Sequence, residues 1–137
     1  MDRFLDFECD PNQLSPLTLA FIGDSVYEMF VREKIVCEAN RPTNKLNTIK
    51  RDWVNASFQA QCAKKIFDIL TQEESDIFRR GRNAHTKNTP KNMSHSDYHY
   101  ATGLETLFGY LYLSGKIDRL RELFYIITQY GDEDFEK

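Results

Sequence analysis

The fold of this chain is decided by residues 15–38, which run SPLTLAFIGDSVYEMFVREKIVCE. Ser15 is a favourable helix N-cap, and Pro16 suits the first helical position because the backbone N–H that proline lacks is unsatisfied there in any helix. The residues that follow are largely apolar and show no strand-like alternation. They predict one long helix that ends near Glu38.

The remainder of the chain is helical in pattern as well. Four prolines and six glycines occur in 137 residues, and no run alternates apolar and polar residues as a strand would. Thr71 and Glu74 have the spacing of a capping box, which marks a helix start. Residues 81–96, GRNAHTKNTPKNMSHS, lack apolar periodicity and are expected to form a loop. Further helices are expected over about 43–70 with a bend near Asn55, 71–81, 94–114 and 117–130, with Gly131 ending the last one.

These features predict a single all-α domain over residues 1–137, with acidic, frayed ends at 1–10 and 131–137. The chain has no apolar run near the length of about 20 residues that crosses a bilayer, and its first residues do not resemble a signal peptide. Three cysteines without metal-ligand spacing indicate reduced thiols. We therefore expect a cytoplasmic protein that does not associate with membranes.

The charge distribution permits a nucleic-acid partner. The net charge is −3, but residues 1–10 and 131–137 each carry four acidic residues and one basic residue. The body of the chain, 11–130, therefore has a net charge of +3. From Arg79 to Lys91 (RRGRNAHTKNTPK) there are five Lys or Arg residues and no acidic residue. Such a stretch is suited to phosphate contacts, although short basic runs are also common as solvated loops.

Isolated carboxylates occur within two strongly apolar stretches. Asp24 lies in the first helix, and Glu105 is the one ionisable acid or base of residues 101–114, ATGLETLFGYLYLS. Glycines lie close to both carboxylates in the sequence, at 23, 103 and 109. Glycine inside a helix costs up to about 1 kcal/mol relative to alanine, and a close approach of two helices is a common reason for its presence. If the two helices pack across these glycines, Asp24 and Glu105 converge on one site.

Paired carboxylates without a nearby Cys or His cluster suit a hard cation such as Mg²⁺. Two alternatives stay open on pattern alone: Asp24 as a buried acid satisfied by a hydroxyl or an arginine, and Glu105 on a solvated stripe of its helix. Glu28 shares a helix face with Asp24, but Arg32 follows it at i+4, which favours a surface ion pair.

Two motifs resemble the ribonuclease III family. Residues 19–26, LAFIGDSV, are similar to the family's first signature, Leu-Glu-Phe-Leu-Gly-Asp followed by a small and an aliphatic residue. Residues 105–113, ETLFGYLYL, resemble its second motif. Residues 80–83 (RGRN) and 90–92 (PKN) are similar to the small bacterial branch, Mini-ribonuclease III, which lacks a double-stranded-RNA-binding domain.

The resemblance implies a ribonuclease III endonuclease-domain-like helical bundle, active as a homodimer. It implies hydrolysis of double-stranded RNA that leaves 5′-phosphate and 3′-hydroxyl ends, with Mg²⁺ as cofactor and Mn²⁺ as a substitute. It also implies maturation of precursor 23S ribosomal RNA as the cellular task, and a ribosomal protein as a candidate for presenting the substrate. Two positions depart from the family pattern, because Ala20 and Thr102 stand where further carboxylates are usual.

The resemblance and the charge pattern together define a candidate site. Asp24 and Glu105 are the expected catalytic and metal-binding residues. The expected RNA-binding residues lie in the basic stretch or directly after it: Arg79, Arg80, Arg82, Asn83, Lys87, Lys91 and Asn92. A catalytically silent module that docks on structured RNA or the ribosome is the alternative that Ala20 and Thr102 favour, and a helical protein–protein adaptor is a third.

Overall fold

The computed structural model describes residues 2–84 and 94–135, with side chains up to residue 133. Six α-helices make up most of this part: α1 (Pro16–Glu38), α2 (Thr43–Val54), α3 (Ala56–Ile66), α4 (Gln72–Arg82), α5 (His95–Leu113) and α6 (Ile117–Phe135). Short 3₁₀ turns at Pro11–Gln13 and Phe67–Ile69 precede α1 and follow α3. No strand occurs in these two ranges, so the all-α prediction is confirmed. None of the helices within them is long and apolar enough to cross a membrane.

The helix starts agree with the capping residues of the sequence. The Ser15 side chain accepts the Thr18 N–H at 3.3 Å, and Thr71 and Glu74 form the full capping box of α4. The predicted break near Asn55 is also confirmed. The Asn55 side-chain oxygen accepts the Phe58 N–H at 2.9 Å, while its amide donates to the Arg51 carbonyl at 2.8 Å. One residue thus ends α2 and begins α3.

The predicted end of the last helix at Tyr130 is wrong, since α6 continues to Phe135. Gly131 is not a helix stop but a packing contact. A Cβ at this position would lie 2.4 Å from the Trp53 ring and 3.0 Å from the Phe58 ring. The missing side chain lets α6 approach the α2–α3 corner.

Residues 2–10 form no helix, yet they are attached to α5. The Phe4 N–H donates to the Tyr112 hydroxyl at 2.7 Å, and the two rings meet edge to face with centroids 5.6 Å apart. This part of the N-terminal segment is therefore held against the bundle rather than frayed.

The central helix is α5, which packs against α1, α3, α4 and α6. Ten of its residues are buried, and Leu104, Leu107, Phe108 and Leu111 form the middle of the hydrophobic core. The loss of solvent-exposed apolar surface along this helix is the main stabilising contribution to the fold.

The backbones of α1 and α5 touch where two glycines face each other. A Cβ on Gly23 would lie 1.6 Å from the Glu105 carbonyl oxygen, and a Cβ on Gly109 would lie 2.0 Å from the Leu19 carbonyl oxygen. No side chain can occupy either position at this separation. The predicted packing across glycines is therefore confirmed for Gly23 and Gly109. Gly103 instead contacts Phe78 of α4.

We expect Gly23→Ala to destabilise the protein by more than about 3 kcal/mol, because the new methyl group meets backbone atoms that cannot rotate away. Urea unfolding followed by circular dichroism measures the change. Gly115→Ala is the control. Gly115 has φ +74° and open space around it, so its substitution should cost only the left-handed conformation, about 1 kcal/mol. Equal decreases in stability for the two variants would contradict the close approach at Gly23.

Candidate active site

The glycine contact brings Asp24 and Glu105 together. Asp24 follows Gly23 on α1, and the Glu105 carbonyl is the atom that Gly23 faces on α5. The two carboxyl groups are close enough for a hydrogen bond between them. The convergence of the two carboxylates that the sequence predicted is therefore confirmed. The sequence also placed both of them in apolar surroundings, and this holds for only one. Asp24 is exposed and Glu105 is half-buried.

The electrostatics of the pair favour a bound positive charge. Burial, together with the hydrogen bond and negative charge of Asp24, raises the pKa of Glu105 to about 9, while the Gln59 amide opposes the rise. Near neutral pH the metal-free site therefore holds a proton on Glu105. A divalent cation held by Asp24 and Glu105 would stabilise both carboxylates in their charged form and would take the place of that proton.

The donor set fits Mg²⁺ better than a transition metal. Within residues 2–84 and 94–133, no group of three or more His, Cys, Asp or Glu side chains is placed to hold a metal ion. Two carboxylate oxygens from the protein leave the remaining positions to water and to substrate oxygens, an arrangement that is usual for Mg²⁺. Zinc sites usually take three or four protein ligands.

Ala20 and Thr102, one turn before Asp24 and Glu105, add nothing ionisable to the site. Both are buried. The Thr102 hydroxyl donates a hydrogen bond to the Tyr98 carbonyl of the same helix at 2.9 Å. The departures from the family pattern therefore leave a two-carboxylate site.

Glu28 does not join the pair. Its carboxylate accepts a hydrogen bond from Arg32 at 2.9 Å and lies 3.9 Å from the Lys50 ammonium. The predicted ion pair with Arg32 is confirmed.

The described part of the basic stretch is the end of α4 rather than a loop. Arg79, Arg80 and Arg82 occupy its last turn, and Asn83 is the C-cap. Arg79 and Arg80 are exposed, as is Asn83, while Arg82 is half-buried. The predicted loop begins too early, since residues 81–82 are helical. The predicted helix start near residue 94 is confirmed, because α5 begins at His95 with Ser94 as its N-cap. Lys87, Lys91 and Asn92 lie outside the described residues.

The end of α4 packs directly on α5. Gly81 lies between Arg80 and Arg82, and a Cβ on it would sit 2.2 Å from the Thr106 hydroxyl of α5. Thr106 directly follows Glu105. The end of α4 therefore packs on α5 at the residue that follows Glu105.

A basic aromatic cleft adjoins the arginines. Lys64, Phe67, Asp68, Arg82 and Tyr100 line a cleft of about 170 Å³. Lys64 lies 5.0 Å and Arg82 5.7 Å from the Tyr100 ring centroid, distances typical of cation–π contacts. No pattern in the sequence connects Lys64 with this surface, because its contacts come from a helix 36 residues later.

Gln59 is a further site residue that the sequence did not indicate. It is 3% exposed and its amide interacts with Glu105. A buried amide without a complete set of partners costs about 1–3 kcal/mol. Glutamine on a helix is too common for its type or spacing to have revealed this contact.

Comparison with known proteins identifies the family of this chain. The model of the ribonuclease III domain family matches residues 17–116, which include both carboxylates and the end of α4. The chain belongs to the ribonuclease III family. Its ribonuclease III relatives include two proteins named Mini-ribonuclease 3. The one from Thermoanaerobacter sp. (strain X514) is 48% identical over 120 residues, covering 88% of this chain and 84% of the relative. The one from Clostridium tetani is 40% identical over 126 residues, covering 90% and 83%.

The ribonuclease III fold is supported by structure as well. An X-ray crystal structure of a Fusobacterium nucleatum protein matches this chain with a TM-score of 0.80 at 30% identity. The match covers 89% of this chain and 98% of that one. The resemblance predicted from the motifs is confirmed, and the chain is an endoribonuclease of the ribonuclease III family.

The raised pKa of Glu105 predicts that the metal-free protein loses stability as the pH rises. Between about pH 4.5 and 9 the folded state keeps a proton that the unfolded chain has released, so the unfolded state becomes more favourable through this range. Glu105→Gln removes this linkage. In EDTA we expect the variant to melt several degrees above the parent at pH 8 and close to it at pH 5, as measured by calorimetry.

Glu33→Gln, which changes an exposed carboxylate on α1, serves as the control and should follow the parent at both pH values. The same decrease in melting temperature from pH 5 to pH 8 in the parent and in Glu105→Gln would contradict the assigned proton.

Proposed function

We propose that this chain is a Mg²⁺-dependent endonuclease that hydrolyses double-stranded RNA to 5′-phosphate and 3′-hydroxyl ends. The observation that carries the proposal is the meeting of Asp24 and Glu105 across the glycine contact. Family membership supports the reaction class, and the donor set supports Mg²⁺, with Mn²⁺ as a substitute that accepts the same oxygen ligands.

The residues of this chain act mainly by binding and orientation. Asp24 and Glu105 bind the cation from two helices, so its position relative to the RNA is set by the rigid α1–α5 contact. Asp24 is exposed and faces the incoming phosphodiester. Glu105 is half-buried and binds the cation from the protein side. When bound, Mg²⁺ makes water a stronger nucleophile and neutralises charge at the scissile phosphate.

The end of α4 is the proposed binding surface for the RNA backbone. Duplex RNA is recognised mainly through phosphates, 2′-hydroxyls and shape. Arg79 and Arg80 present exposed guanidinium groups, and Arg82 and Lys64 surround Tyr100. Asn83 adds an exposed amide. We include Lys87, Lys91 and Asn92 in this surface on their sequence position alone.

The proposed active form is a homodimer. An apolar face runs along α1, where Phe21 is 83% and Met29 54% exposed. It continues into a groove of about 860 Å³ beneath the N-terminal segment, which adds exposed Phe4, Leu5 and Phe7. Exposed apolar surface of this kind is usual at interfaces between protein chains. A twofold dimer also matches the twofold symmetry of an antiparallel duplex.

We further propose precursor 23S ribosomal RNA as the cellular substrate, in the cytoplasm, with a ribosomal protein as a candidate for presenting it. Kinship with proteins named Mini-ribonuclease 3 supports RNA as the substrate class, and the choice of ribosomal RNA rests on the resemblance of the sequence motifs.

The alternative is an RNA-docking module without catalysis. Ala20 and Thr102 favour it, since each removes a carboxylate that the family motifs usually contain. The retained and converging pair Asp24–Glu105 opposes it, because a docking module has no need for two repelling carboxylates.

A cleavage assay tests the enzyme and its site together. With a long RNA duplex and Mg²⁺, we expect Asp24→Asn and Glu105→Gln each to slow cleavage by at least about a thousandfold, and EDTA to abolish it. Both variants should sediment as the same dimer as the parent. Glu28→Gln is the matched control on the same helix face and should cleave at nearly the parental rate. Full activity of Asp24→Asn would reject the site, and duplex binding without cleavage by the parent would favour the docking module.

The arginine surface is tested by the salt dependence of RNA binding. On the non-cleaving Asp24→Asn background, replacing Arg79, Arg80 and Arg82 by Gln should weaken binding. It should also reduce the slope of log K against log salt by about 0.9 for each phosphate that the protein no longer neutralises. Lys45→Gln, an exposed lysine on α2, is the control. An unchanged slope in the triple variant would remove α4 from the interface.

A further inference from the structure

Five polar side chains of the described residues are buried: Gln59, Glu74, Ser75, Thr102 and Thr106. Gln59 and the half-buried His99 each have a buried side-chain nitrogen without a hydrogen-bond partner. Glu74 is hydrogen-bonded to Arg119, and the hydroxyls of Thr102 and Thr106 donate to helix carbonyls. The Gln59 Nε2 is fully buried and has no completed hydrogen bond. A buried donor in this state is unusual enough to require an explanation.

The Gln59 amide interacts with the Glu105 carboxylate. Burial and Asp24 both raise the pKa of Glu105, whereas a hydrogen-bonding interaction with Gln59 lowers it. This interaction places the amide near the Glu105 carboxylate, while the Nε2 atom makes no hydrogen bond of normal length. The unpartnered atom and the candidate metal ligand are next to each other.

The position of this amide is fixed by rigid surroundings. Asn55 caps α3 one turn before Gln59, and Trp53 packs edge to face on Phe58 with centroids 5.3 Å apart. The next residue, Ala60, is fully buried. Gln59 thus approaches α5 from a helix that neither turns nor shifts easily.

We propose that Gln59 is a positioning residue for the metal site. When one oxygen of Glu105 binds the cation, Nε2 donates a hydrogen bond to the other oxygen and holds the carboxylate in its binding orientation. Hydrogen bonds from an outer residue to a metal-binding carboxylate are a general feature of metal sites. This role rests on the proposed metal-dependent function and adds a residue of a third helix to it.

The chemistry of glutamine suits this position. Its amide donates a hydrogen bond without carrying charge, so it orients the carboxylate without repelling the cation. A lysine here would compete with the metal for both carboxylates, and a glutamate would add a third negative charge beside Asp24. An apolar residue would fill the space but supply no donor. Neutral donation is what a site with only two protein carboxylates requires.

Metal binding by the full-length protein without RNA tests the proposal. Gln59→Leu should weaken Mn²⁺ binding about tenfold in titration calorimetry, while the melting temperature in EDTA does not fall. In the cleavage assay, the metal concentration for half-maximal rate should rise by a similar factor, and excess metal should restore most of the rate. Gln61→Leu is the matched control, because Gln61 lies on the same helix with its side chain exposed and bonded to Tyr130. It should leave Mn²⁺ affinity unchanged.

Asp24→Asn in the same titration separates two kinds of failure. If Asp24→Asn abolishes Mn²⁺ binding but Gln59→Leu binds as the parent does, the role of Gln59 is overturned and the proposed function stands. If the parent shows no Mn²⁺ binding, or Asp24→Asn binds equally well, the metal site and the role of Gln59 fail together. If Gln59→Leu does not fold, Gln59→Met replaces it in the Mn²⁺ titration, because methionine keeps the length of the side chain without the donor. A lower melting temperature with unchanged affinity would show a purely structural role.

Discussion

The contact between the backbones of α1 and α5 at Gly23 and Gly109 sets the relative position of Asp24 and Glu105. Side chains normally keep helix axes about 8–10 Å apart. At this contact both helices have glycine, so no side chain separates the two backbones. The Glu105 carbonyl lies where a Gly23 side chain would begin. The consequence is that the residue after Gly23 and the side chain of Glu105 share one space. The functional site thus follows from how closely two helices can pack.

Asp24 and Glu105 differ in environment although their chemistry is the same. Asp24 faces solvent, while Glu105 is half-buried and has a pKa raised to about 9 by burial and by its neighbour. Two carboxylates at this separation repel unless a proton or a cation lies between them. The proton that Glu105 keeps relieves this repulsion, but keeping it lowers the free energy of unfolding near neutral pH. Such a destabilising feature is expected at a functional site rather than in a structural core.

The helix α4 is held in the bundle by contacts at both of its ends. Arg119 of α6 donates to Glu74 at 3.0 and 2.9 Å, and Glu74 also completes the capping box at the start of α4. At the other end of α4, Gly81 packs on Thr106. With both ends packed in this way, α4 holds Arg79, Arg80 and Arg82 at a fixed position relative to α5.

Local information in the sequence determined the helices and much of the site. Caps such as Ser15, Asn55 and Thr71 act within one helical turn, so their effect can be predicted from neighbouring residues, and the motifs around Asp24 and Glu105 indicated the family. The tertiary structure alone decided which of the two carboxylates is buried. It also placed Gln59 near Glu105 and Lys64 beside the Tyr100 ring. It made Gly131 a packing contact rather than a helix end. Those properties depend on groups that lie tens of residues apart in the chain. Their contact distances are set by the packing of whole helices, which no short stretch of sequence specifies.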